Sequence, residues 1–291
     1  MPRLIELHAT SQQGRRPTNE DVELFRINLG GNGQAYDPRY AAVDTFVVCD
    51  GHGGSEVSAY AAPQLLKCFT RPNLVFPLAY NLISKIYDRI QGDIIDHPDK
   101  IGAECGCTAL VVVRYIDGAR ECIQVINLGD CRAVLSRKGL AIPLTKDHKP
   151  FWPEEKRRID LVNRKHGTDD RVHFEAGDWR IHDLSVSRAF GDLEATPHVT
   201  HLPETFIYSL QNDDEFIIIA CDGLWDTLEN HEAVNFARDH LTNNGIQYYD
   251  IPRTYPTREV SDTQCLSRKL ASYAIARGST DNVSVLTVIL K

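Results

Sequence analysis

The sequence lacks the features of several large protein classes. It has no run of about 18 apolar residues, which a membrane helix would need, and residues 1–6 hold no apolar stretch typical of a signal peptide. An excess of basic residues is also missing, because 32 Lys and Arg stand against 40 Asp and Glu, a net charge of −8 that repels phosphate backbones and anionic lipid. We therefore expect an intracellular protein, cytoplasmic or nuclear, that binds neither nucleic acid nor membranes.

Several catalytic motifs are absent as well. There is no P-loop and no dinucleotide-binding glycine pattern. Residues 231–235 are close to a zincin motif but have Asn235 where the second histidine must stand, and residues 51–54 resemble an oxyanion loop in a chain without a Gly-x-Ser-x-Gly elbow. Asp222 lacks a second acid two residues later, which disfavours a phospho-aspartate intermediate. The eight cysteines are dispersed, without His or Cys pairs at zinc spacing, and we interpret them as reduced thiols.

The composition that is present is that of an ordinary globular chain, with 42% hydrophobic and 25% charged residues. Short β-branched apolar runs predict buried strands, and segments with helical spacing predict helices between them. The predicted strands are residues 45–49, 108–113, 122–128, 216–221 and 284–290. The predicted helices are residues 55–69, 74–95 and 265–276.

Consecutive strands joined by turns, at Asp117-Gly118 and Gly129-Asp130, favour an antiparallel α+β sandwich over a doubly wound sheet. No repeat and no linker divides the 291 residues, so we expect one domain. Residues 146–181 and 243–262 have irregular patterns and are predicted to be surface excursions.

Aspartates stand at the ends of the predicted strands. Asp50 and Asp222 each follow an apolar run directly, and Asp281 precedes the last strand. One such residue would usually begin a turn, as Asp-Gly often does. Three carboxylates at buried strand ends, with no Lys or Arg beside them, suggest a site for hard cations such as Mg²⁺ or Mn²⁺ rather than zinc.

With these residues the sequence resembles the PP2C-type metal-dependent serine/threonine phosphatases. The resemblance covers nearly the whole chain, and its motifs occur in order. They are Arg16-x3-Glu20-Asp21, Val48-x-Asp50-Gly51-His52-Gly53-Gly54, Gly106-x-Thr108-Ala109, Asn127-x-Gly129-Asp130-x-Arg132, Asp147-His148-Lys149-Pro150, Ser187-Arg188-Ala189-Phe190-Gly191-Asp192, Ala220-Cys221-Asp222-Gly223-Leu224-Trp225-Asp226 and Asp281-Asn282-Val283-Ser284-Val285.

The resemblance implies a four-layer α/β/β/α sandwich with a central antiparallel β-sandwich, a flap at about residues 146–182 and two metal ions in a cleft. It implies a metal-bridging water that attacks phosphorus directly, without a phosphoenzyme. The ligands it implies are Asp50 between the ions, Glu20 with the carbonyl of Gly51 at one ion, and Asp222 with Asp281 at the other. Asp130 and Asp226 would bind a weaker third ion together with Asp222.

Other roles also follow from the resemblance. Arg16 would bind the phosphate, because a guanidinium grips two oxygens together. His52 would protonate the leaving alkoxide, and Asp21 would orient the metal ligands or their waters. Ser187, Arg188 and Asp192 are interpreted as structural.

The flap departs from the family pattern, because a polar loop at residues 163–170 replaces a glycine pair. Its basic residues are interpreted as a solvated face, with contact to an acidic phosphopeptide as the alternative; they are Arg157, Arg158, Arg164, Lys165 and His166. We expect a monomeric phosphatase acting on phosphoserine and phosphothreonine proteins. A catalytically inactive scaffold and a phosphatase of small phosphate esters remain the alternatives.

Overall fold

The computed structural model describes residues 2–29, 36–241 and 265–291. The strands in these ranges are β1 (Ile5–Gln12), β2 (Val22–Arg26), β3 (Asp44–Cys49), β4 (Gly51–His52), β5 (Gly106–Cys107), β6 (Ala109–Asp117), β7 (Arg120–Leu128), β8 (Arg132–Arg137), β9 (Leu140–Pro143), β10 (His173–Glu175), β11 (Asp178–Arg180), β12 (Phe190–Gly191), β13 (Glu204–Ser209), β14 (Asp214–Ala220) and β15 (Val283–Leu290). The α-helices are α1 (Glu56–Phe69), α2 (Tyr80–Ile95), α3 (Pro153–His166), α4 (Asp222–Trp225), α5 (Asn230–Leu241) and α6 (Leu266–Ala276), and a 3-10 helix spans Leu193–Ala195. None of these helices is both long and apolar enough to cross a membrane.

Two five-stranded sheets form the centre of the fold. Sheet 1 has the strand order β1-β15-β14-β8-β9, and sheet 2 has the order β13-β7-β6-β3-β2. Neighbouring strands are antiparallel throughout both sheets. The predicted antiparallel α+β class is therefore confirmed, and the predicted turn at Asp117-Gly118 joins β6 to β7.

The alternation of side chains along each strand produces the layers. Phe46 and Ile217 point into a core between the two sheets. Their neighbours Val47 and Ile218 point to the opposite faces, where α1 and α2 cover sheet 2 and α4, α5 and α6 cover sheet 1. The fold therefore has four layers with an apolar core between each neighbouring pair. Because both faces of each sheet are covered, the central strands are continuous apolar runs and do not alternate with polar residues. Truncating a fully buried residue such as Phe46 to Ala would cost about 3–5 kcal/mol.

The predicted strands and the helices α1 and α6 match the observed bounds within a few residues at each end. The predicted helix 74–95 is too long at its start, because α2 begins only at Tyr80. Pro77 lacks a backbone N–H and disfavours helical backbone at Phe76, so the apolar spacing of residues 74–79 could not become helix.

The excursion predicted at residues 243–262 lies outside the described residues. All eight cysteines are free thiols.

The flap has more regular structure than the sequence suggested. It contains α3 and the β10–β11 hairpin. Helix α3 has Pro153 at its start and is followed by Gly167, whose φ of 70° is the left-handed conformation that glycine adopts freely. The basic residues predicted as one surface cluster lie partly in its last turn, where they face the negative end of the helix dipole.

One member of that predicted cluster is not a solvated charge. Arg158 donates to the buried carboxylate of Glu155 at 3.1 Å and to the backbone oxygen of Ser187 at 2.8 Å. Glu155 also accepts from Ser187 Oγ at 2.7 Å and from Arg188 Nε at 3.1 Å. Arg158, Ser187 and Arg188 thus hold α3 against the body of the fold, which agrees with the structural interpretation of the last two.

Candidate active site

The acidic residues at strand ends meet in one cavity. Asp50 follows β3 of sheet 2, whereas Asp222 opens α4 immediately after β14 of sheet 1, so the cavity lies where both sheets end. Its volume is about 290 Å³. The predicted site residues that line it are Arg16, Glu20, Asp50, Gly51, His52, Asp130, Asp222 and Asp281. Arg180 of the flap and residues 183–186, which follow the flap, form part of the wall.

Close backbone packing holds the two sides of this cavity together. A Cβ on Gly223 would lie 1.9 Å from the carbonyl oxygen of Asn282, so only glycine allows α4 to start beside the loop that carries Asp281. The side chain of Asn282 accepts from the backbone N–H of Glu20 at 2.9 Å and donates to the carbonyl of Thr18 at 2.8 Å. Asn282, to which the sequence analysis assigned no role, therefore positions Glu20.

Mutual repulsion dominates the electrostatics of the cavity. Burial, followed by the negative charges of Asp222, Asp21, Asp130 and Asp281, raises the pKa of Asp50 well above its usual range. Burial and the charges of Asp130, Asp226 and Asp281 do the same to the pKa of Asp222, against a weaker opposing effect of Lys149. These carboxylates have too few cations of the protein around them to be stable together as anions.

Asp21 lies beneath the cavity and is buried. Neither of its carboxylate oxygens has a hydrogen-bond partner among the described residues. Burial raises its pKa to about 6; Ser284 and Cys221 come near without forming hydrogen bonds of good geometry and lower the pKa only partly. Ligand atoms of Asp21, Asp50 and Cys221 lie within 4.8 Å of one another. The sequence analysis predicted Asp21 but not the contact with Cys221.

Two of the acids have basic partners. Arg16 Nη2 donates to Asp281 Oδ2 at 2.7 Å, with the arginine half exposed at the cavity mouth. Lys149, from the flap, forms an ion pair with Asp130 that the sequence analysis missed. Asp226, which was predicted to bind a third ion, does not line the cavity. Burial and the charge of Asp130 outweigh the attraction of Lys149 and raise the pKa of Asp226 to about 6.

His52 faces an acid that was predicted to be structural. Its Nε2 lies 2.9 and 2.8 Å from the two carboxylate oxygens of Asp192, and the imidazole N–H donates to that carboxylate. Burial alone would lower the pKa of His52. The hydrogen bond to Asp192 and its negative charge outweigh burial, so the net effect raises the pKa above its usual value. The interpretation of Asp192 as structural therefore missed its contact with the candidate general acid, and its place at the end of a motif was the one available signal.

Gly106 makes room for this pair. A Cβ on Gly106 would lie 2.2 Å from Asp192 Oδ2 and 2.4 Å from His52 Nε2. No side chain fits between the β4–β5 backbone and the two residues, so the glycine is required by the contact itself.

A family model described as Protein phosphatase 2C matches residues 5–283. The chain belongs to this family. The resemblance predicted from the motifs is thereby confirmed. Members of the family are generally metal-dependent.

Individual relatives agree with this membership. A PP2C-like domain-containing protein of Acanthamoeba polyphaga mimivirus is 67% identical over 172 residues, which are 59% of this chain and 96% of that protein. The probable protein phosphatase 2C 7 of rice is 30% identical over 280 residues, 96% of this chain and 64% of the rice protein. The chain thus spans less than two thirds of that plant relative.

Solved structures show the same fold. The serine-threonine phosphatase 2C of Toxoplasma gondii superposes with a TM-score of 0.73 at 20% identity, covering 100% of this chain and 98% of that one. A C. elegans sex determining protein superposes with a TM-score of 0.77 at 24% identity, covering 99% of this chain and 65% of the other.

The residues that line the acidic cavity suit divalent cations that prefer oxygen ligands. The donors are mainly carboxylates, and Asp21 has two buried oxygens without a hydrogen-bond partner in the described part of the chain. Added positive charge would remove the repulsion that raises the pKa values of Asp50 and Asp222. Burial raises the pKa of the Cys221 thiol well above its usual range, so this sulfur stays protonated and is a poor ligand.

Cys131 and Arg137 do not form the active site of a cysteine-dependent phosphatase. Cys131 and Arg137 have the Cys-x5-Arg spacing of such enzymes, but the residues that follow Cys131, up to and including Arg137, form the extended strand β8. Cys131 is buried, its pKa is raised well above the usual range by burial and the charge of Asp50, and Arg137 pairs with Asp214. Neither a thiolate nor a phosphate-binding loop is present there.

Proposed function

We propose that this chain is a metal-dependent protein serine/threonine phosphatase that hydrolyses phosphoserine and phosphothreonine by direct attack of water. The observation that carries the proposal is the cavity in which Asp50, Asp222 and Asp281 crowd beside Arg16 and His52. Family membership supports a phosphatase, and the crowding of buried carboxylates supports its dependence on metal ions.

We assign two Mg²⁺ or Mn²⁺ ions to the carboxylates of the cavity. Asp50 would be shared by both ions, Glu20 and the Gly51 carbonyl would bind one, and Asp222 and Asp281 the other. Bound ions of this kind neutralise charge on phosphate and lower the pKa of water. Asp21, buried behind Asp50, would orient that residue.

A weaker third ion would bind at Asp130 and Asp226 together with Asp222. Lys149 is paired with the carboxylate of Asp130 and would compete with a metal ion for it. This competition is a physical reason for the site to be the weakest of the three.

Arg16 and His52 would act on the substrate itself. Arg16 is at the cavity mouth, and its guanidinium can exchange Asp281 for two oxygens of the phosphate. His52 lines the cavity, and Asp192 holds its ring, so His52 would donate a proton to the departing serine or threonine oxygen. Asp192 is then a positioning residue.

The two alternative functions, an inactive scaffold and a phosphatase of small phosphate esters, predict different behaviour. An inactive scaffold is disfavoured because Glu20, Asp50, Asp222 and Asp281 are all retained. A phosphatase of small esters would not need the cavity wall formed by residues 183–186 beside the flap. The test is turnover of a phosphothreonine peptide and of a small phosphate ester, each with and without Mn²⁺. Metal-dependent turnover that favours the peptide is expected; turnover of the small ester alone would overturn the protein-phosphatase assignment, and no turnover of either would support a scaffold.

We further infer that residues 1–291 form one catalytic domain acting as a monomer in the cytoplasm or nucleus. Phosphoproteins would be its partners, and the net charge of −8 argues against nucleic acid and anionic membranes. Gel filtration with light scattering tests the monomer.

A further inference from the structure

Two histidines and an aspartate converge at the base of the flap, apart from the acidic cavity. His182 Nε2 lies 3.2 Å from His198 Nδ1. Asp170 Oδ2 lies 3.4 Å from His198 Nε2. One ligand atom from each of the three residues lies within 4.8 Å of the other two. His198 is buried, whereas His182 and Asp170 are partly exposed, so the cluster is open to solvent on one side.

The residues of this flap-base cluster come from three different segments. Asp170 follows the end of α3, His182 follows β11, and His198 follows the 3-10 helix. Packing fixes the two histidines, because Ile181 and Val199, their chain neighbours, share the small apolar core under the flap. The imidazoles are therefore held in place by the fold and not only by contact with each other.

The other nitrogen of His198 has its own partners. Nε2 lies 2.9 Å from Asn163 Oδ1 and 3.2 Å from Thr168 Oγ1. A proton on Nε2, donated to Asn163, leaves the lone pair of Nδ1 directed at His182. This is the arrangement of metal-binding histidines, in which the second nitrogen is oriented by an oxygen acceptor.

We propose that His198 Nδ1, His182 Nε2 and the carboxylate of Asp170, which would turn toward the ion from its present contact with His198 Nε2, bind one transition-metal ion of the zinc class. Around a tetrahedral ion with bonds of about 2.0–2.1 Å, neighbouring ligand atoms are about 3.3–3.4 Å apart. The observed separation of the two histidine nitrogens is 3.2 Å. Water would complete the coordination, and entry is possible from the exposed side.

The metal-ligand atoms of this site differ from those of the acidic cavity. Two imidazoles and one carboxylate prefer zinc, nickel or copper over magnesium, whereas an all-oxygen site prefers magnesium or manganese. Burial, with smaller contributions from His182, Arg158 and His166, lowers the pKa of His198 despite the opposing charge of Asp170. A neutral imidazole is the form that binds metal.

An ion at this site would affect the wall of the acidic cavity. Residues 183–186 line the cavity wall, and His182 immediately precedes them. An ion held by His182 on the flap and His198 on the body would fix this wall in place. The binding claim rests only on the cluster, so it stands or falls separately from the phosphatase proposal.

The test is calorimetric titration of Zn²⁺ into the full chain in an excess of Mg²⁺, which competes with Zn²⁺ for all-oxygen sites but not for imidazoles. His182 has a φ of 51°, a conformation that Asn tolerates, so His182→Asn removes the ligand with little backbone strain. His201→Gln is the matched control, since His201 also pairs with an acid, Asp88 at 2.9 Å, outside the cluster.

We expect one Zn²⁺ site that Mg²⁺ does not displace and that is weakened at least about tenfold in His182→Asn but unchanged in His201→Gln. Zinc-edge absorption spectra should show two imidazole nitrogens. Equal zinc affinity in His182→Asn and the wild type, or spectra without imidazole, would mean that the histidines form only a hydrogen-bonded pair. If melting in EDTA shows that His182→Asn is misfolded, the same comparison is made with Asp170→Asn.

Discussion

The imidazole of His52 and the carboxylate of Asp192, 140 positions apart in the chain, lie 2.8 Å apart at the edge of the acidic cavity. The contact joins strand β4 to the residue after β12. A carboxylate on this ring stabilises its protonated form and fixes its orientation, which are the two properties that a general acid needs.

Replacing His52 should affect substrates differently according to their leaving groups. His52→Gln should slow hydrolysis of a phosphothreonine peptide by about 10²- to 10⁴-fold, because its alkoxide must be protonated. An activated aryl phosphate should lose much less, since a phenolate leaves unaided. Steady-state kinetics on both substrates measure the difference, with His201→Gln as the control histidine. Equal losses on the two substrates would make His52 a positioning residue instead.

The glycine between the two residues offers an independent test of the pair. Gly106→Ala places a Cβ within 2.4 Å of both His52 Nε2 and Asp192 Oδ2, so the pair must separate. We expect the same leaving-group dependence as in His52→Gln. Gly92→Ala is the matched control, because it lies in α2 with no atom within 4 Å of the added carbon and should stabilise the fold by about 0.5–1 kcal/mol. Unchanged peptide turnover in Gly106→Ala would argue against a role for the contact.

Removal of metal should abolish activity reversibly. Mg²⁺ or Mn²⁺ should also raise the melting temperature, because binding stabilises the folded state by about 2.7 kcal/mol at a concentration a hundred times Kd. Asp222→Asn should reduce both effects, and in EDTA it should melt no lower than the wild type because it removes one repelling carboxylate.

Thermal melts with and without metal measure this response. Asp213→Asn serves as the control, since Asp213 pairs with Lys138 at the opposite end of β14. Full activity after exhaustive chelation would contradict the metal assignment.

The buried carboxylate of Glu155 should make the fold sensitive to acid. Burial alone would raise its pKa, but Arg188, Arg158 and Ser187 outweigh burial and lower the pKa from 4.5 to about 2. Because the folded-state pKa is depressed, the stabilisation is complete above pH 4.5 and is lost as the pH falls toward 2. At neutral pH the shift corresponds to about 3 kcal/mol.

Glu155→Gln should therefore lose about that free energy of unfolding at pH 7 and show a flatter pH dependence below pH 4.5. Urea unfolding at several pH values measures both quantities. Glu154→Gln, the adjacent exposed acid, should change stability little. A similar loss in the two variants would show that the Glu155 network does not hold the flap.

Several features of the protein were determined by local sequence alone. Apolar runs such as residues 216–221 indicated strands buried on both faces or in a sandwich core, and the turn at Asp117-Gly118 favoured an antiparallel sheet. Asp50, Asp222 and Asp281 could be recognised as site residues because each stands where a buried strand ends, a place where a carboxylate needs a partner.

Other contacts could be read only from the tertiary structure. The pairing of Asp192 with His52, the ion pair of Lys149 with Asp130 and the meeting of His182 with His198 have no signature in residue spacing. Periodicity reports which face of an element is buried, since it depends on neighbours three or four residues away at most. Which polar side chains meet across the flap and the cavity depends on the paths of the connecting loops, and only the packed fold sets those paths.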